Sequence, residues 1–279
     1  MVNINGNLLP KNQALFKAGN RAFLYGDHLF ETILFQNGKL LFWEEHYFRI
    51  MGGACMLRME IPQFLNIDYL ENEIIKTINS SKYDILNARI RLSLYRSDGG
   101  YYLPTNQSIE YLIEINEINN SYLLFNEVGL HIDVFHDHLK PKQSISNLKG
   151  QNSIVSVLSS IYANENNFDE SIILNSESFI CETTASNIFV VNDKNLITPP
   201  LNSGCVNGII RKQIIENVSL WGFTIEEKNI KTFELIKADE VFLTNSVKWI
   251  KWVDRYKKKR YKNEVSLRLF KCLCNLIDT

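Results

Sequence analysis

The sequence predicts a two-domain protein of the α+β or α/β class, with a smaller N-terminal antiparallel sheet flanked by helices and a larger C-terminal domain of mixed sheet. Three observations lead there. Two Asn-Gly dipeptides, Asn5-Gly6 and Asn37-Gly38, each divide an apolar stretch as a two-residue hairpin turn would. The segment Ile85 to Tyr95 alternates Ile90, Leu92 and Leu94 with Arg89, Arg91 and Ser93, the period of a strand with one wet face. Helical spacing alternates with such strands along 279 residues, more than one domain of common size needs.

Taken in order, Val2 to Leu9 reads as a hairpin and Glu31 to Phe42 as a second one. The following EEHYFRIMGGACMLRM has helical spacing and sets His46, Arg49 and Ile50 on neighbouring faces. Glu110 to Ile115 is the expected partner of the Ile85 to Tyr95 strand. Polar residues from Asn116 to Ser121 then mark a boundary, giving domains over 1–117 and 126–279 with a linker over 118–125. Beyond Lys149, Asn152 or Ser153 is placed to cap a helix in which Ile154, Leu158, Ile161 and Tyr162 recur. Ser171 to Leu174, Phe179 to Glu182 and Ile188 to Val191 read as consecutive strands, broken at Asn175-Ser176 and Asn192-Asp193 and ended by Thr198-Pro199-Pro200. Asn207 and Gly208 then open GIIRKQIIENVSLWG, a helix whose first backbone N–H groups have no partner within it.

Hydrophobic residues at 45% and charged residues at 22% are those of a folded chain, and a formal net charge of -1 gives no general attraction for nucleic acid or an anionic membrane. A small-molecule ligand held by a local site is expected instead. No apolar run is long enough to cross a bilayer, and the opening MVNINGNLLPKNQ lacks the layout of a signal peptide, so a cytoplasmic location is expected. Cys55, Cys181, Cys205, Cys272 and Cys274 are scattered and odd in number, as free thiols are. His136-Asp137-His138 is expected to bind no metal, because strand neighbours face opposite ways. The basic run Arg255 to Lys262 reads as a solvated loop.

Four short segments carry chemistry: SNLKGQN with Lys149, ICETTASN with Glu182, EEHYFRI with Arg49, and VNGIIR with Gly208. Singly, each has an ordinary reading as a surface lysine, an ion-pair partner or a helix start. In their order, together with YGDHLFET, FDESIIL and LITPP, they make the chain resemble the class IV aminotransferase family over nearly its whole length. These are the fold-type IV enzymes of pyridoxal 5'-phosphate (PLP), which include branched-chain and D-amino-acid aminotransferases and 4-amino-4-deoxychorismate lyase.

The resemblance implies a barrel-like C-terminal domain, bound PLP and a homodimer. Lys149 matches the lysine that holds the cofactor by a Schiff base, and Glu182 the acidic partner of the pyridine nitrogen. Arg49 matches the arginine that grips the phosphate, and Gly208 and Ile209 the helix opening whose N–H groups complete that grip. Ser246 in FLTNSV matches a hydroxyl residue that touches the phosphate. Thr183, Thr184 and Asn187 either line the cofactor edge or simply form the turn between strands. Asp27 is a family mark expected to bond local backbone N–H groups, and His46 is read as a packing residue.

Within the family, the short chain and CVNGIIR are more similar to the lyase branch, whose reaction yields pyruvate and 4-aminobenzoate. The alternative is an aminotransferase for branched-chain or D-amino acids with 2-oxoglutarate. Intact matches at the cofactor positions weigh against a catalytically silent PLP-binding protein. Tyr101 stands where lyases carry an arginine for a substrate carboxylate, and Phe30 where D-amino-acid aminotransferases carry a tyrosine. Arg91 and Arg96 are the remaining candidate carboxylate partners.

Overall fold

A computed structural model of the chain describes residues 1–13, 16–80, 85–118, 124–150 and 153–277. The chain divides into two compact units, one of Met1–Tyr122 with Lys149–Asn152 and the other of Leu123–Leu148 with Ser153–Thr279. Residues 119–123, most of the expected linker, lie outside those described. Asn116 and Glu117, the first residues of the polar stretch taken to mark the boundary, are the end of a strand.

The first unit runs β1 (Val2–Ile4), β2 (Asn7–Leu9), α1 (Arg21–Tyr25), β3 (His28–Gln36), β4 (Lys39–Leu40), α2 (Trp43–Met56), α3 (Ile67–Asn79), β5 (Asn87–Arg96) and β6 (Ile109–Glu117). Its sheet has the order β2-β1-β6-β5-β3-β4 and is antiparallel throughout. Both Asn-Gly pairs adopt positive φ, 50° and 86° at Asn5-Gly6 and 49° and 82° at Asn37-Gly38, as a hairpin turn that follows strand twist requires. Ile90, Leu92 and Leu94 are fully buried. Each contributes about 1.5–3 kcal/mol by leaving water. Helix α2 packs on β3, while α3 packs on β6 and β1. Helix α3, which the sequence reading passed over, starts at an Asn66 cap whose side chain accepts the N–H of Tyr69 at 2.8 Å.

The second unit runs β7 (Leu130–Lys140), α4 (Ile154–Glu165), β8 (Glu170–Asn175), β9 (Ile180–Thr183), β10 (Asn187–Asn192), β11 (Asn195–Thr198), α5 (Ile209–Asn217), β12 (Thr224–Glu227), α6 (Thr232–Lys237), β13 (Glu240–Asn245), β14 (Trp249–Tyr256), β15 (Lys259–Arg260) and α7 (Glu264–Asn275). The path β12-β11-β10-β13-β14-β7-β8-β9, with β15 on β14, forms a nine-stranded sheet. It is mixed, with parallel pairs at β11–β12, β14–β7 and β7–β8. Its core is built from Ile132, Ile172, Ile188, Val241 and Val253.

Two expectations are corrected here. The run from Arg255 is a hairpin, not a solvated loop: β14 turns at Lys257, with φ 52°, into β15. Alternation puts Tyr256 and Tyr261 into the core and leaves the lysines outside. In α4 the buried residues are Ser159 and Ala163, whereas Ile154 and Ile161 are exposed. Ser153 occupies the N-cap position without a side-chain capping bond, and Asn152 lies outside the described residues. Among the described residues no helix is long and apolar enough to cross a membrane, no group of side chains is arranged to hold a metal, and the five cysteines are free thiols.

Candidate active site

Strand β3 organises the first unit's chemistry through two successive residues. Phe30 and Glu31 point to opposite sides of the strand, so each gathers its own partners. The backbone N–H of Phe30 donates to the carbonyl of Lys149 at 2.9 Å, and Leu29 bridges Gly150. Lys149 is thereby held along β3, with its Nζ 4.7 Å from the centroid of the Phe30 ring. Arg91 approaches the same ring more closely, at 3.8 Å. The register explains this contact: Phe30 pairs with Ser93 and Thr32 with Arg91, which makes Phe30 and Arg91 diagonal neighbours on one face. Burial depresses the Arg91 guanidinium, opposed by Glu114.

Glu31 collects two residues from α2. His46 Nδ1 lies 2.7 Å from one carboxylate oxygen, and Arg49 donates its Nε to the other at 2.7 Å and its Nη2 to the first. The spacing of three residues brings both side chains to one face of the helix. Burial alone would raise the Glu31 carboxyl, but Arg49 and then His46 outweigh it and hold it down at about 2. Burial keeps the His46 imidazole below its ordinary value against the pull of Glu31, and the charges of Arg49 and Lys149 add to the lowering. The Nδ1–H bond to a carboxylate leaves Nε2 as the free ring position, buried and without a hydrogen-bond partner.

Arg96, expected as a carboxylate partner, is taken up by the fold. It is buried and donates to Asp27 at 2.8 Å, to the carbonyls of Leu57 at 2.7 Å and Arg58 at 3.3 Å, and to Gln107. Asp27 also accepts Arg21 Nε at 3.0 Å. It is a bridge between two arginines, which corrects the expectation that it bonds local backbone N–H groups. Tyr101 projects its ring into solvent, 83% exposed, and its carbonyl accepts Arg21 Nη1 at 2.5 Å.

In the second unit, Glu182 lies near the end of β9, buried with both oxygens engaged. Lys140 Nζ donates to one at 2.6 Å and the backbone N–H of Val206 to the other at 2.8 Å. The carbonyl of Val206 accepts Asn187 Nδ2 at 2.8 Å and the Gly208 N–H at 2.9 Å, so Val206 is held through both of its backbone polar groups two residues before Gly208. Gly208 is the N-cap of α5 and has no side-chain capping bond. A Cβ there would lie 2.0 Å from Asn187 Oδ1. Glycine is required by that contact; its own N–H donates to the Val206 carbonyl at 2.9 Å, so the helix start would meet an anion with the N–H groups from Ile209 onward.

Thr183 and Thr184 favour the turn reading. Thr183 N–H donates to Ser186 at 2.8 Å, and the Thr184 hydroxyl lies 3.0 Å from that of Ser159. Ser246 is half-buried in the turn after β13, where Asn245 accepts two backbone N–H groups and donates to Ser186 at 3.0 Å. Sequence reasoning missed Lys140, Val206 and Asn147. The last donates to the carbonyls of Leu201 and Cys205, both at 2.7 Å, and so shapes the approach to α5. The position of Asn147 within SNLKGQN was the one signal available for it.

The first unit thus carries six antiparallel strands and the second nine mixed ones, with the start of α5 tied to the buried Glu182 through Val206. A model of the amino-transferase class IV family matches residues 28–254, and the chain belongs to that family. An aminodeoxychorismate lyase of Vibrio harveyi is 27% identical over 231 residues, covering 82% of this chain and 83% of the relative. A protein of Methanocaldococcus jannaschii described as a putative branched-chain-amino-acid aminotransferase is 28% identical over 243 residues, 87% of this chain and 83% of its own. Among solved structures, the branched-chain amino acid aminotransferase of Thermobaculum terrenum in its PLP form superposes with a TM-score of 0.85 at 21% identity, covering 99% of this chain and 93% of the other.

Proposed function

We propose that the chain is a PLP enzyme acting on a small amino-bearing carboxylic acid, and that it releases pyruvate and 4-aminobenzoate from 4-amino-4-deoxychorismate. The observation that carries the substrate class is the sharing of the Phe30 ring by Lys149 and Arg91. A reactive amine and a cation suited to a carboxylate stand on one side chain.

The second unit's residues fit the cofactor by their own chemistry. Gly208 adds no side chain at the start of α5, and the first turn from Ile209 carries N–H groups at the positive end of a helix dipole, which suits a phosphate. Glu182 is a buried carboxylate stabilised by two donors, which suits a protonated ring nitrogen.

Bound PLP supplies an electron-withdrawing ring that takes up the electrons released at the substrate carbon. Lys149 Nζ would hold the cofactor covalently and, when free, would take the proton from the substrate carbon. Glu182 would accept a hydrogen bond from the ring nitrogen and favour its protonated form. In the second unit the N–H of Ile209 and the hydroxyl of Ser246 would serve the phosphate, with the Val206 carbonyl before them held by Asn187; in the first unit Arg49, oriented by Glu31, keeps the phosphate role that the family resemblance gives it. Arg91 takes the substrate carboxylate.

An aminotransferase is the second reading, favoured by the apolar Phe30 beside Lys149 and by the Methanocaldococcus relative. Purified protein loaded with PLP and given 4-amino-4-deoxychorismate is expected to form 4-aminobenzoate and pyruvate. Neither product, with amino transfer from a branched-chain or D-amino acid to 2-oxoglutarate, would establish the second reading instead. The working form in either reading is a homodimer, which light scattering checks.

A further inference from the structure

Lys140 closes β7, nine residues before Lys149, and its side chain is 15% exposed while that of Glu182 is 8% exposed. An ammonium so nearly dry requires a compensating charge, and Glu182 at 2.6 Å supplies it. Burial pushes the Lys140 amine down, Glu182 pulls it up, and the upward effect prevails. The neighbouring thiols of Cys181 and Cys205 are both pushed up by burial and stay neutral, so they add no charge beside Lys140 and Glu182; the buried Arg211 also acts on Cys205.

We infer that Lys140 is a positioning residue which, through Glu182, sets the protonation of the cofactor's ring nitrogen; this rests on the PLP reading above. Coulomb interaction weakens with distance, so the Lys140 charge acts most strongly on the carboxylate it touches and less on anything bonded beyond it. It therefore favours the ionised carboxylate, the form that accepts a hydrogen bond from a protonated ring nitrogen. Val206 N–H fixes the other carboxylate oxygen, so Glu182 cannot swing to follow Lys140 or leave it. Without Lys140 the buried carboxylate keeps the neutral Val206 donor and loses the charge that opposes transfer of the ring proton to it.

The test compares wild type, Lys140→Met and Lys140→Arg as holoproteins loaded with PLP labelled with 15N in the ring. The expected result is a 15N resonance of protonated pyridine in wild type and Lys140→Arg, and one moved toward neutral pyridine in Lys140→Met. In the same variant kcat should fall by roughly tenfold or more with KM nearly unchanged, because one unit of proton affinity is a tenfold population change. If Lys140→Met does not fold, Lys140→Gln removes the charge while keeping a donor and carries the same test. An unmoved resonance with only a lower melting temperature would make Lys140 merely structural and overturn the inference. Failure of wild type to take up PLP would instead remove the cofactor reading beneath it, an outcome seen before any variant is compared.

Discussion

Val206 donates its backbone N–H to Glu182 at 2.8 Å, tying the acidic residue at the end of β9 to the loop that opens α5. One residue thus sets both the carboxylate and the approach to the helix start, since the Val206 carbonyl is held by Asn187 in turn.

Gly208 should not tolerate a side chain. In Gly208→Ala the new methyl meets Asn187 Oδ1 at 2.0 Å, and relief requires breaking the Asn187 bond to Val206 or moving α5. We expect a loss of about 1–3 kcal/mol, the usual cost of overpacking, together with weaker PLP retention. Thermal melting and PLP dissociation by dialysis measure the two effects. Full retention with an unchanged melting temperature would refute the assignment.

Lys149 is tested by chemistry. Borohydride treatment of the PLP-loaded protein should fix a pyridoxyl group on the peptide carrying Lys149, and Lys149→Ala should lose that label while keeping its fold. Peptide mass spectrometry reads the result; a label on another lysine would sink the central assignment.

The cluster of Glu31, His46 and Arg49 should show itself in acid. Glu31 is held at about 2 in the folded protein against an ordinary 4.5, so its contribution is complete above about 4.5 and is lost as pH falls toward 2. Glu31→Gln should cost about 3–5 kcal/mol at neutral pH, the scale of breaking a buried pair and stranding its partner. Denaturant titrations at pH 7 and pH 2.5 would show the gap narrowing in acid, and a gap independent of pH would contradict the ion pairing.

Arg91 and Arg96 should separate cleanly, although the sequence offered both for one task. Arg96→Ala removes donors to Asp27, Leu57, Arg58 and Gln107 and should lower the melting temperature markedly. Arg91→Ala should leave folding nearly intact and raise KM for a carboxylate substrate by roughly tenfold to a hundredfold. Equal effects of the two on KM would contradict this division.

The local pieces of the fold were legible because their causes are local. Asn5-Gly6 and Asn37-Gly38 turn where they do since positive φ is cheap for those residues, and Ile90, Leu92 and Leu94 mark β5 because strand side chains alternate. The same logic missed α3 and the β14–β15 hairpin, where a charged surface hides the buried Tyr256 and Tyr261. At the site, Lys149, Glu182, Arg49 and Gly208 stood out through their short motifs, whereas Lys140 stands in HLKPKQ like any solvated lysine.

By itself the sequence determined the family, the local turns, the alternation of β5 and the opening of α5, because each follows from residues close together along the chain. The tertiary structure alone decided which cation serves which anion. Lys140 meets Glu182 across 42 positions and Arg96 meets Asp27 across 69, and only pairing of strands and packing of loops brings such charges together. Once they are buried, an unpaired charge is too costly to keep, so the partner that packing provides fixes the role of each residue.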